Sequence, residues 1–121
     1  MERRSTRFER HFDAPVLTDA ASLRHDLAAH FAWLGDAVDD AQVVVTELFT
    51  NAVRHGAAPV TVLALPFDGG VQLRVCDGGR HFGDPGPDSR GLQLIDRLAT
   101  QRGIEQSPEG KAVWANILAR P

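Results

Sequence analysis

The chain is 121 residues long, room for one domain of ordinary size and too little for two. Its 43% hydrophobic and 24% charged residues exclude long disorder, and a net charge of −3 lacks the dense basic footprint that nucleic-acid phosphates require. A single cysteine, Cys76, excludes an internal disulfide and a cysteine zinc cluster. No apolar run reaches the roughly eighteen residues of a membrane span. Met1-Glu2-Arg3-Arg4 leads into polar sequence without a secretory pattern, so one cytoplasmic domain over residues 1–121, with neither membrane nor nucleic acid as partner, is the expectation.

In chain order, Phe8 and Phe12 share one parity within residues 6–12, which predicts a first strand ended by Asp13-Ala14-Pro15. Thr18 and Asp19 offer an N-cap to a helix carrying Leu23, Leu27, Phe31 and Leu34 as far as Gly35. Asp36, Asp39 and Asp40 sit where carboxylates favour a helix start. Val45, Leu48, Phe49, Ala52 and Val53 then form an i, i+3, i+4, i+7, i+8 stripe that ends at Gly56. Pro59 opens a strand over 60–65, Asp68-Gly69-Gly70 supplies a hairpin turn, and Val71, Leu73 and Val75 alternate with Gln72, Arg74 and Cys76 as in a half-buried strand. Five glycines and two prolines between Asp77 and Gly91 exclude a regular element there. A third helix carries Leu92, Ile95, Leu98 and Ala99 and stops at Gly103; strands near 103–107 and 111–118 turn around Pro108-Glu109-Gly110. This order predicts an α+β two-layer sandwich with helices on one face of a mostly antiparallel sheet.

Several polar residues stand out against that frame. Glu47 and Asn51 are four apart on the second helix, on the side away from its apolar stripe, and so share one surface strip. A carboxylate beside a carboxamide can orient a hydroxyl or hold a hard cation through oxygen, although such a pair is also ordinary on a solvated helix face. Asp77 has the parity of Val71, Leu73 and Val75, which points its carboxylate toward the apolar side, where it needs a donor. A backbone turn or an Arg could supply that donor, as could the exocyclic amine of a ligand such as adenine, with Gly78-Gly79 allowing a flat ring close to the backbone. Gly91 stands at the start of the third helix, where free N–H groups favour phosphate, or where a loop simply hinges. Glu109-Gly110-Lys111 reads as an ordinary turn.

Taken in order, Glu47-Leu48-Phe49-Thr50-Asn51-Ala52-Val53-Arg54-His55-Gly56, Val75-Cys76-Asp77-Gly78-Gly79, Ser89-Arg90-Gly91-Leu92-Gln93-Leu94-Ile95 and Gly110-Lys111-Ala112-Val113-Trp114 closely resemble the GHKL-type ATPases. Within them the chain looks like the small anti-sigma-factor serine/threonine kinases abundant in actinobacteria, over about residues 15–118. The resemblance implies the Bergerat fold, with helices over a mixed sheet, and ATP with Mg²⁺ as cofactors. It implies Glu47 as catalytic base near the γ-phosphate, Asn51 as the Mg²⁺ ligand, and Asp77 as acceptor from the adenine amine with Gly79 beside the ring. Arg90, Gly91, Leu92 and Gly110 complete the implied nucleotide contacts, and residues 80–90 are the implied ATP lid. The sequence departs from the family pattern at His81 and Ser89, where glycines are usual, and at Ala112, where a Thr is usual.

The implied activity is phosphorylation of Ser or Thr on an anti-sigma-factor antagonist of STAS type, with sequestration of a sigma factor when unopposed and homodimerisation as in related proteins. The competing expectation is a non-catalytic partner-binding module that kept the fold with weak or no nucleotide turnover.

Overall fold

The apolar stripe of the second helix organises the molecule. The computed structural model describes residues 6–79 and 90–120, apart from the side chain of Arg90. The long helix α2 (Ala37–His55) buries Val44, Val45, Leu48, Phe49 and Ala52, with Asp39 and Asp40 in its first turn where carboxylates meet the positive helix end. It packs on α1 (Asp19–His30) to one side, α3 (Arg90–Leu98) to the other, and a sheet beneath. That sheet has the order β1 (Phe8–Phe12), β2 (Val60–Phe67), β3 (Gly70–Asp77), β5 (Gly110–Leu118), β4 (Gln101–Ser107). The result is the expected α+β sandwich. All four strand pairings are antiparallel, so the sheet of the described residues is not mixed.

Strand parity decides which side chains enter the core. Phe8, Val60, Val62, Ala64, Val71, Leu73, Val75, Ala115 and Ile117 face the helices and are buried. The opposite face carries a row of side-chain hydrogen bonds across three strands, β3, β5 and β4. Asn116 donates to Gln101 at 3.3 Å, Gln72 to Asn116 at 3.0 Å, and Arg74 to Gln72 at 3.1 Å and Glu105 at 2.7 Å.

One helix cap and two helix ends differ from the sequence expectation, each for a local reason. Thr18 makes no capping bond; Asp19 Oδ2 instead accepts from the Val16 N–H at 2.9 Å and holds the turn before α1. The first helix does not reach Gly35. It ends at His30, and a single 3₁₀ turn over Ala32–Leu34 follows, placing both Phe31 and Leu34 in the core. The third helix ends at Leu98 rather than Gly103, because the Thr100 N–H is already drawn to the Asn116 carbonyl at 2.9 Å. Gly103 lies within β4, where a Cβ would come 2.6 Å from the Trp114 ring; the glycine seats the indole and does not stop a helix.

The end of β5 ties the helix layer to the sheet. Ala119 N–H donates to Gly69, Arg120 N–H to Leu34, and Asp36 N–H to Arg120, while the Arg120 guanidinium pairs with Asp40 at the start of α2. The register of α2 along its axis is thereby fixed, and with it the positions of Glu47, Asn51 and Gly56.

Candidate functional site

Asp77 is the last residue of β3, and its parity takes it inward as expected: it is 6% exposed. The required donor is a backbone turn. Gly79 N–H donates to Asp77 Oδ1 at 2.7 Å, and this is the only hydrogen bond to the carboxylate among the described residues, which leaves Oδ2 available to a ligand. Gly78 N–H donates to the Ala57 carbonyl at 2.8 Å, so the chain leaving α2 and the chain leaving β3 lie backbone against backbone. Gly110, at φ +148°, presses on the Asp77 carbonyl so closely that no side chain fits. Gly79 and Gly110 also line a cleft of about 230 Å³ with Gln106, Ser107 and Pro108, beside the turn between β4 and β5.

Glu47 and Asn51 are half-buried on the flank of α2 that faces α3, not on an outlying solvated side as their spacing alone suggested. Gly91, in the first turn of α3, lies directly against them. A Cβ on Gly91 would stand 2.8 Å from Glu47 Oε2 and 3.8 Å from Asn51 Nδ2. A carboxylate, a carboxamide and the positive end of a helix therefore converge. Leu92 is a core residue, 4% exposed, so its side chain packs inward and does not line the site. Arg90 opens α3, but its side chain, together with His81, Ser89 and the rest of the expected lid over 80–89, lies outside the described residues.

Two neighbours of Asp77 escaped the sequence reading. Gly56 reads in the sequence as a helix end, yet a Cβ there would fall 2.5 Å from Asp77 Cγ and Oδ2. Lys111, the chain's only lysine, is directly across from Asp77 in the β3–β5 register and is nine-tenths buried; these two are the buried charged residues among those described. Its parity with Val113, Ala115 and Ile117 was the available signal. Ala112, expected to replace the family's Thr, pairs with Cys76 and belongs to the other face, so the residue that stands beside Asp77 is Lys111. Behind the site, burial pushes the Cys76 thiol above its ordinary value; Asp77 and Glu105 add to the rise and Arg74 opposes it. A thiol so raised is protonated at neutral pH and no nucleophile.

The arrangement suits a planar ligand with an amine at one end and an anionic group at the other. Asp77 Oδ2 can accept from the amine, and the first turn of α3 can meet the anion. Among the described residues no three His, Cys, Asp or Glu side chains gather as a metal centre. A hard cation bound here would take Asn51 oxygen and otherwise oxygens of ligand and water, the usual coordination of Mg²⁺ with phosphates. No helix of the described residues is long and apolar enough to cross a membrane. A family model described as a histidine kinase-like ATPase domain matches residues 14–117. No curated protein matches the chain.

Proposed function

The chain belongs to the histidine kinase-like ATPase family, and from that premise we propose that it binds ATP·Mg²⁺ and phosphorylates Ser or Thr of an anti-sigma-factor antagonist. In this reading it also sequesters a sigma factor when the antagonist is absent, and works as a homodimer. The observation that carries the catalytic part is the approach of the Glu47 carboxylate and Asn51 to Gly91 at the start of α3; a buried Asp77, whose Oδ2 meets no donor among the described residues, carries the nucleotide part.

Each residue then has one task. Asp77 Oδ2 accepts from the adenine amine, while guanine would present a carbonyl to the same oxygen and be refused. Gly79 lets the ring lie close to the backbone. Asn51 supplies an oxygen to Mg²⁺, which neutralises phosphate charge when bound. Glu47 takes the proton of the attacking Ser or Thr hydroxyl as that oxygen bonds to the γ-phosphorus and the bond to the β-phosphate oxygen breaks. Phosphoryl transfer asks the protein mainly for positioning and charge neutralisation, so this small set suffices.

Incubation with labelled ATP and candidate antagonist proteins from the same genome tests the reading. Label on a Ser or Thr of one antagonist, lost in Glu47→Ala, is the expected result. Nucleotide binding without transfer to any of them would make the protein a partner-binding module instead.

A further inference from the structure

We propose that Gly56 is a positioning residue that sets base selectivity, by leaving the Asp77 carboxylate the only orientation in which Oδ2 faces the ligand. This rests on the nucleotide reading of the site. The backbone at Gly56 has φ −100° and ψ −154°, outside the left-handed region, so conformational freedom does not explain a glycine there. Contact does. A Cβ on Gly56 would stand 2.5 Å from both Cγ and Oδ2 of Asp77, closer than any real side chain comes, and 2.7 Å from the Ala52 carbonyl at the end of α2. The main chain cannot give way, because Gly56 N–H is held by that same Ala52 carbonyl at 2.9 Å and Gly78 N–H by Ala57 at 2.8 Å.

The carboxylate is thus fixed from two sides. Gly79 N–H draws Oδ1 at 2.7 Å, and the bare Cα of Gly56 walls the side of Oδ2. With a methyl group at position 56, the carboxylate must rotate, giving up the Gly79 bond and the aim of Oδ2 together. Selectivity between an amine and a carbonyl on the ligand depends on that aim, because a carboxylate in another rotamer meets neither group well.

The test is affinity for ATP·Mg²⁺ and GTP·Mg²⁺, by calorimetry, in wild type, Gly56→Ala, Asp77→Asn and the double variant. Gly56→Ala should weaken ATP tenfold or more and bring the ATP:GTP ratio to within about threefold of unity. Added to Asp77→Asn it should cost nothing further, since both changes act through one carboxylate. Should Gly56→Ala fail to fold, Asp77→Glu reads the same clearance from the other side: one more methylene has no room against Gly56, and the ATP preference should collapse equally. Wild-type preference for ATP that survives in Gly56→Ala, or in Asp77→Glu where that variant replaces it, overturns the inference and leaves the nucleotide reading intact. A wild-type protein that binds neither nucleotide overturns both.

Discussion

Asp77 concentrates the chemistry of this molecule into two oxygen atoms. One is held by the Gly79 N–H and the other meets no donor among the described residues. A hydrogen bond to a charged group contributes about 1.5–3 kcal/mol. Asp77→Asn, which offers an amide N–H or a neutral oxygen in place of that charge, should therefore weaken ATP binding by roughly 10- to 100-fold, read by calorimetry. Glu47 and Asn51 separate chemistry from binding. Glu47→Ala should leave ATP affinity within a few-fold while phosphoryl transfer to an antagonist falls by roughly 10²–10⁴, the range for losing a general base. Asn51→Ala should abolish the Mg²⁺ dependence of ATP binding, measured with and without the ion.

At the scale of elements, α3 and β4 carry the tests. Gly91 lies in the first turn of α3, where helix propensity alone favours Ala by up to about 1 kcal/mol. The contact with Glu47 works against it, since a Cβ at 2.8 Å from Oε2 pushes the carboxylate aside. Gly91→Ala should thus melt no lower than wild type and yet lose tenfold or more in transfer; thermal unfolding and the labelled-phosphate assay together check this. Edge strand β4 is largely exposed and is tied to its neighbours by two ion pairs, Arg74 with Glu105 and Arg102 with Asp96 of α3. The hydrogen bond from Arg74 holds the Glu105 carboxyl below its ordinary 4.5, and that from Arg102 holds Asp96 below 3.8. Both carboxyls are depressed on folding, so their contribution is complete above those ordinary values and disappears as pH falls through the lower folded ones. Urea midpoints measured from about pH 5 down to pH 2 should drop less steeply in Glu105→Gln/Asp96→Asn than in wild type. Because both groups are solvent-exposed, the difference should be small and shrink with added salt.

For the whole molecule, α2 is the element on which everything else is assembled. Phe49 at its centre is fully buried and meets Phe12 edge-on, with ring centroids 5.1 Å apart. Phe49→Ala should cost about 3–5 kcal/mol, a large part of the 5–15 kcal/mol that typically holds a domain folded. A denaturant titration should show the midpoint falling sharply with the slope unchanged. The clasp from Arg120 to Leu34, Asp36 and Asp40 brings the last described residues of the chain onto the start of this helix, so sheet and helix layer unfold together.

Periodicity and parity in the sequence by themselves determined the three α-helices and five strands of the described residues, the sandwich architecture and the inward course of Asp77. Each of these depends on neighbours within a turn or two along the chain, and local spacing records such neighbours. The motif order likewise sufficed for the family, since it needs residue types and not contacts. Only the tertiary structure decided that Glu47 and Asn51 face α3, that Gly91 and Gly56 lie against carboxylates elsewhere in the chain, and that Lys111 rather than Ala112 stands beside Asp77. Those facts depend on strand register and helix packing, which bring together residues far apart in sequence. A glycine at a helix end looks the same in the sequence whether it releases the backbone or makes room for another side chain.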